Sequence, residues 1–257
     1  MELTERFADL VAQPGFPLDE AALLVAAHAD PACDVAANLA LLDEIAAGVP
    51  EPELVVLTEV LFGTWGFVGD QVDYYDPRNS YLHEVLERRR GIPITLSIVL
   101  IEVGRRVGVA LAGVGTPAHF MTCTTGADRR WVDAFAGGRI LDRAELDAQF
   151  ARLAPGIDLE PYLEPVTHAQ VIGRVLDNLV AIHRQRNDRT DLLWACRLRT
   201  LVPGATPEHR RAYGGALAAS GDFVRAAKVL ESLVEDGHAS DPEDELAKAA
   251  RLRARLN

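Results

Sequence analysis

Apolar residues recur at helical spacing along most of this chain and at strand spacing in one short part of it. Near the N-terminus two such runs, Glu20–His28 and Asp34–Ala47, carry apolar residues every three or four positions, which is typical of amphipathic helices. A third run extends from about Glu51 to Gly63. The pattern therefore predicts a helical N-terminal region.

The segment Pro93–Val107 is apolar nearly all round, and a helix with no polar face is expected to be buried. Pro93 suits the first helical position, because the N–H that proline lacks has no partner there. Gly108 suits the residue that ends a helix. The sequence thus predicts a buried central helix with sharply defined ends.

After Gly108 the pattern changes to short runs with strand character, Val109–Val114, His119–Thr124 and Arg130–Asp133. Turn-forming residues at 115–117 and 125–128 separate them. A helix followed by an antiparallel meander indicates an α+β fold, mainly helical with a short antiparallel sheet, and argues against alternating β-α-β units.

Residues 153–167 hold three prolines and little periodicity, so they are the predicted linker. They divide the chain into a first domain, 1–152, with a helical N-terminal extension, and a second, 168–257.

The second domain contains an internal repeat. Asp188 and Asp222 lie 34 residues apart, each in a turn flanked by two helical runs. A period of about 34 with helix–turn–helix content is the signature of tetratricopeptide repeats. We expect an all-helical, tetratricopeptide-like region that ends in a capping helix at 241–256.

Composition limits the possible partners. The net charge of −12 argues against direct nucleic-acid binding, because neutralising phosphates needs a surplus of Lys and Arg. No apolar stretch is long enough to span a membrane. Cys33, Cys123 and Cys196 lie far apart, without metal-ligand spacing. We expect a cytoplasmic protein with no metal and no cofactor.

The chain resembles the SirB-type family of bacterial proteins. The resemblance is carried mainly by the segments YYDPRNSYLHEVLERRRGIPITLS (74–97), EVGRRVGV (102–109), GVGTPAHF (113–120) and VDAFAGG (132–138). It implies a transglutaminase-like (papain-like) core followed by C-terminal tetratricopeptide repeats.

The resemblance also implies a three-part catalytic pattern. In catalytic members of the superfamily a cysteine begins the buried helix, a histidine opens a following strand and takes the thiol proton, and an Asp or Asn on the next strand orients the histidine. His119 and Asp133 match the last two roles. Pro93 stands at the cysteine position, and Met121 replaces the usual aromatic residue after the histidine. The pair is therefore predicted to be a vestigial or remodelled dyad.

Other nucleophiles fit poorly. Ser97 shares a helix face with Pro93, but a core serine that bonds back to the Pro93 carbonyl is the favoured interpretation, and Thr95 lies between them. Cys123 is four strand residues from His119, roughly 13 Å, so we interpret it as a core residue.

Besides Pro93, Thr95 and Ser97, three more residues are candidates for lining the cleft: Asp76, Asn79 and Glu84. Their alternative interpretation is local. Asp76 precedes a proline in a turn, and Asn79 or its neighbour caps a helix that runs to about Arg90 with Glu84 in its first turn.

These features favour a non-catalytic, transglutaminase-like module that binds a protein or peptide and acts as a regulator. The alternative is a hydrolase or acyl-transfer-type enzyme with a remodelled site, for example one in which the His119–Asp133 pair activates water. A third hypothesis is regulation of transcription, which the name of the family suggests, although the net charge of −12 argues against direct DNA contact. The sequence does not define an oligomeric state.

Overall fold

The computed structural model describes residues 2–116, 119–126 and 128–255. Pro117 and Ala127 in the two predicted turns, and Leu256 at the end of the predicted capping helix, lie outside the described residues. The chain divides into two compact units, Gly15–Val171 and Met1–Pro14 with Ile172–Asn257. The first residues of the chain thus group with the C-terminal unit, whereas the sequence prediction placed them in the first domain.

In its described residues, the unit Gly15–Val171 contains six α-helices and seven short strands. The helices are α2 (Leu18–Ala29), α3 (Val35–Ala47), α4 (Leu54–Thr58), α5 (Leu82–Arg88), α6 (Pro93–Val107) and α7 (Arg143–Leu153). The strands are β1 (Val68–Gly69), β2 (Arg90–Gly91), β3 (Leu111–Val114), β4 (Met121–Thr124), β5 (Trp131–Asp133), β6 (Arg139–Leu141) and β7 (Pro165–Val166). A π-helical segment, Glu59–Thr64, continues α4. The unit is therefore mainly helical with a small sheet, as the sequence predicts.

Helix α6 is the centre of this unit. Its first twelve residues are buried, and it packs against α2, α3, α4 and the first strands of the sheet. Its polar end is held by an ion network in which the Arg106 guanidinium contacts Asp19 at 2.7 Å, Glu102 at 3.1 Å and Asp43 at 2.6 Å. This network ties α6 to α2 and α3.

Five strands form an antiparallel sheet in the order β6-β5-β4-β3-β7. A cluster of buried side chains, including Cys123, Trp131, Leu146 and Phe150, joins the sheet to α7. Because β7 pairs with β3, part of the segment 153–167 belongs to the sheet and is not a free linker. Two residues each of β1 and β2 form a separate parallel pair.

One local prediction is wrong in detail, and two elements were not predicted. The helix predicted to be capped by Asn79 or Ser80 and to run to about Arg90 is capped instead by Tyr81 and spans Leu82–Arg88, because residues 77–79 form a separate 3₁₀ turn capped by Asp76. Strand β6 and helix α7, to which the sequence analysis assigned no element, complete the sheet and cover it.

The other unit is helical. It contains α1 (Leu3–Val11) and, from residue 172 onward, most of α8 (His168–Arg186) followed by α9 (Arg189–Leu201), α10 (Pro207–Ala219), α11 (Phe223–Glu235) and α12 (Pro242–Ala254). Asp188 and Asp222 cap α9 and α11, each accepting a backbone hydrogen bond from three residues ahead. Within the described ranges, no helix has the length and apolar content needed to cross a membrane.

Candidate functional site

The predicted dyad is assembled. His119 lies two residues before β4 and Asp133 ends β5, the antiparallel neighbour of β4. The His119 Nε2 atom is 3.0 Å from Asp133 Oδ1. The contact is short but poorly aligned as a hydrogen bond, since Nε2 does not meet hydrogen-bond geometry with any described group. Catalytic hydrogen bonds in unliganded sites are often loose in this way.

Asp133 is held by more than the histidine. Its Oδ1 also accepts from the Ala136 backbone N–H at 3.1 Å, and its Oδ2 accepts from the Gln149 side-chain amide at 2.9 Å. Burial alone would raise the pKa of Asp133, but the contact with His119 and the hydrogen bonds from Gln149 and Ala136 outweigh it, so the pKa is lowered. Asp133 is therefore a fixed anion that orients the imidazole.

The turn after β5 supports this arrangement. The Gly138 N–H donates to the Asp133 carbonyl at 3.0 Å. Gly137 and Gly138 both have positive φ angles, +73° and +77°, which glycine adopts without strain. The turn also presents Phe135, which packs so closely on Gly69 that a Cβ there would lie 2.5 Å from the ring.

A cavity of about 730 Å³ opens beside the dyad. Its lining comes from the 74–75 loop, the start of α6, the dyad, the 135–136 turn and α7: Tyr74, Tyr75, Pro93, His119, Asp133, Phe135, Ala136, Gln149, Arg152 and Leu153. Pro93 is the first residue of α6 and shares this cavity with both members of the dyad. The position matched to the missing cysteine thus faces the same space as the histidine and aspartate.

Aromatic rings form one side of the cavity. Phe135 makes edge-to-face contacts with His119, at 6.4 Å between ring centroids, and with Tyr74, at 5.9 Å. Tyr75 stands edge-to-face on Tyr74 at 5.2 Å. Burial, and secondarily Tyr75, raises the pKa of Tyr74, so its phenol is neutral. Trp65 does not line the cavity and lies under the Arg89 guanidinium instead.

Of the six predicted cleft residues, Pro93 alone lines the cavity. Asp76 caps the 3₁₀ turn and pairs with Arg78. Asn79 is fully buried, with its amide donating to the Asp73 carbonyl at 2.7 Å. Glu84 lies 3.9 Å from the guanidinium of Arg88. These residues do not reach the dyad because local partners engage them first.

Thr95 and Ser97 are likewise structural. The Thr95 hydroxyl donates to the Asn79 carbonyl at 2.7 Å and accepts from the Ile92 N–H at 3.2 Å, so it fixes the start of α6. Ser97 is fully buried, but its hydroxyl has no hydrogen-bond partner among the described residues. The predicted bond from Ser97 to the Pro93 carbonyl is therefore wrong.

Cys123 is buried in the cluster under α7. Burial raises the pKa of its thiol, with Glu164 adding to the effect and Arg129 opposing it. A thiol held neutral in this way is a poor nucleophile, which agrees with the interpretation of Cys123 as a core residue.

Gln149 and Arg152 are cavity residues that the sequence analysis missed. Both lie on α7, whose apolar periodicity is weak. The start of α7 has a helix-capping pattern that is visible in the sequence, Asp142 followed three residues later by Glu145. In the structure the side chain of each residue accepts a hydrogen bond from the backbone N–H of the other. That reciprocal pattern marks a helix N-terminus, and it would have placed Gln149 on a helix.

Similarity to known protein families shows the class of protein to which this chain belongs. A profile of the transglutaminase-like superfamily matches residues 27–177, the region that holds the sheet, α6 and the dyad. This confirms the predicted transglutaminase-like core.

Relatives that match most of the chain show the family within that superfamily. A UPF0162 protein of Xylella fastidiosa (strain Temecula1) is 37% identical over 218 residues, which cover 77% of this chain and 76% of that protein. The chain belongs to this transglutaminase-like family of UPF0162 proteins. F-box only protein 21 of Mus musculus is 38% identical over 103 residues, which cover 37% of this chain and 16% of that protein. A crystal structure of menin matches with a TM-score of 0.45 and 10% identity over 97% of this chain and 67% of that one, a similarity too low to carry an argument.

Proposed function

We propose that this protein is a transglutaminase-like module that has lost acyl-transfer chemistry and binds a peptide or protein segment in the cavity beside Pro93. The observation that carries the proposal is the combination of an assembled His119–Asp133 pair, an accessible cavity, and a proline where the nucleophile would be. Proline supplies neither a thiol nor a backbone N–H, and acyl transfer at a helix N-terminus uses both.

The cavity has the character of a binding site. Its volume falls within the range of roughly 300–1,000 Å³ that is typical of ligand sites. Several of its wall residues are aromatic or apolar, and some are strongly exposed: Tyr75 at 64% and Leu153 at 58%. Exposed apolar groups around a concavity favour contact with another molecule.

The helical unit supports the same role. We propose that α8–α11 form two tetratricopeptide-like pairs with α12 as a cap, as in the SirB-type arrangement that the sequence resembles. The supporting feature is the 34-residue spacing of the two aspartates that cap α9 and α11. Such helix pairs present surfaces for partner peptides. The three free cysteines favour a cytoplasmic location for this regulatory module.

A second candidate function is hydrolysis by a water molecule that His119 activates. The observation that favours it is the anchoring of Asp133 by Gln149 and Ala136, which keeps the dyad ordered without a cysteine. A histidine oriented by a carboxylate is a competent general base.

The variant Pro93→Cys tests whether the site lacks more than its nucleophile. We expect it to show little or no amine incorporation into a glutamine-containing peptide and little amidase activity, because one thiol does not restore substrate positioning or oxyanion donors, which are worth several orders of magnitude in rate. Pro93→Ala is the matched control without a thiol. Turnover that appears in Pro93→Cys and disappears in Pro93→Cys/His119→Ala would show that the site is intact apart from its nucleophile. Amidase activity of the native protein that His119→Ala abolishes would contradict the binding proposal and favour hydrolysis by activated water.

A further inference from the structure

We infer that the cavity beside His119 selects a peptide carboxylate flanked by apolar side chains. This inference rests on the proposed binding function and names the chemistry of the ligand. It depends on which charges in the cavity are already engaged and which are not.

The negative charge of the cavity is already engaged. Both carboxylate oxygens of Asp133 have partners, Oδ1 with His119 and Ala136, and Oδ2 with Gln149. Since Asp133 is the sole acidic residue in the lining, the cavity offers a ligand no unengaged anion among the described residues.

The positively charged residue of the lining, Arg152, is free to contact a ligand. Arg152 lines the cavity, is exposed, and has no ion pair or hydrogen bond with any residue that the structure describes. A cationic cavity is not a consequence of the overall charge, because the chain as a whole carries −12. A guanidinium binds carboxylates through a pair of parallel hydrogen bonds, so Arg152 favours an anionic group in the ligand.

The surroundings of Arg152 define the rest of the ligand. The neighbouring Leu153 is 58% exposed, and Tyr74 and Tyr75 add aromatic surface to the lining of the cavity. Farther along the same loop, Val72 is 92% exposed. A carboxylate beside apolar or aromatic side chains complements this combination, and a short acidic peptide segment supplies both.

The test is an NMR titration of the ¹⁵N-labelled full chain with three probes: Ac-Phe-Glu-Phe-NH₂, Ac-Phe-Gln-Phe-NH₂ and Ac-Phe-Gln-Phe-OH. Signals of the Gln149 side-chain amide and the His119 ring report on the cavity. We expect the Glu probe to bind roughly ten-fold more tightly than the Gln amide probe, because a charge-assisted contact replaces a neutral one. Tighter binding of the third probe instead would identify a C-terminal carboxylate as the source of the same chemistry.

Matched variants locate the effect. Arg152→Gln should lower the affinity for the Glu probe to the affinity for the Gln amide probe. Arg90→Gln, which alters an exposed arginine outside the cavity, should leave the preference unchanged. Equal binding of all three probes, or a preference that survives in Arg152→Gln, would overturn the carboxylate inference while leaving peptide binding intact. Hydrolysis of a probe would instead contradict the proposed binding function, and absence of any shift at Gln149 and His119 would overturn both.

Discussion

Replacing Asp133 by asparagine is the substitution that most directly probes how the site is held. Asparagine keeps the shape of the side chain and removes its charge. The Oδ1 atom can still face His119 Nε2 and accept from the Ala136 N–H, while the new Nδ2 group meets the Gln149 amide. If the Gln149 side-chain amide rotates by half a turn, its oxygen can accept a hydrogen bond from the new Nδ2 group, so all three contacts can be kept in a neutral form.

The magnitude follows from the loss of charge in those contacts. Hydrogen bonds to charged groups contribute about 1.5–3 kcal/mol and neutral ones about 0.5–1.5 kcal/mol, a difference of about 1–1.5 kcal/mol for each bond. The two hydrogen bonds from Ala136 and Gln149 together therefore lose about 2–3 kcal/mol. Relief of the cost of burying a carboxylate offsets part of this, and Gln149 is only partly buried. We expect Asp133→Asn to lower the free energy of unfolding by about 1–2 kcal/mol at pH 7, a fall in Tm of about 3–6 °C.

The pH dependence has a definite sign. The pKa of Asp133 is lowered in the folded state, so its stabilising contribution is complete above the unfolded-state pKa of about 3.9 and is lost as the pH falls below that value. The difference in Tm between the native protein and Asp133→Asn should therefore shrink between about pH 5 and pH 3.

Thermal unfolding followed by circular dichroism at a series of pH values measures this difference. Asp147→Asn is the control, because Asp147 lies on the same helix α7 but pairs with Arg143 at the surface, where ion pairs contribute about 0–1 kcal/mol. Identical Tm values for the native protein and Asp133→Asn at pH 7, or a difference that grows in acid, would refute the reasoning.

Two further substitutions test the support of α6. Arg106→Ala removes the cation that contacts buried Asp19 and Glu102 and should lower the free energy of unfolding, measured by urea titration, by about 3 kcal/mol. The loss should be smaller at low pH, because burial and the neighbouring Asp19 raise the pKa of Glu102, so that Glu102 takes up a proton. A loss below about 1 kcal/mol at pH 7 would contradict this role of Arg106. Ser97→Ala removes a buried hydroxyl that has no partner among the described residues and should leave the protein as stable or up to about 1 kcal/mol more stable by the same measurement, whereas a clear loss of stability would reveal a bond that Ser97 makes.

The sequence predicted the frame of the site because that frame rests on local signals. Pro93 and Gly108 mark the two ends of α6, and the apolar pattern between them indicates burial; the structure has this helix with the predicted bounds. The meander after Gly108 placed His119 and Asp133 on neighbouring strands, and the structure brings them to 3.0 Å. Each of these inferences depends on residues close together in the chain.

The cavity could not be predicted in the same way, because separate segments form it. Tyr74 and Tyr75 come from a loop well before α6, whereas Gln149 and Arg152 come from a helix after the sheet. Asp76, Asn79 and Glu84 were wrongly predicted to line the cleft, because contacts close in sequence hold them elsewhere. Polar side chains in a turn satisfy nearby backbone and charged groups first, and sequence proximity to Pro93 did not bring them to the dyad.

The central claim, binding without catalysis, is tested most directly by incubating the native protein and His119→Ala with a random peptide library and analysing bound and free peptides by mass spectrometry. We expect the native protein to retain a set of peptides with unaltered masses, and His119→Ala to retain fewer of the same set. Peptides that are cleaved, or whose glutamine side chains are converted to glutamate, by the native protein and not by His119→Ala would contradict the claim and identify an enzyme.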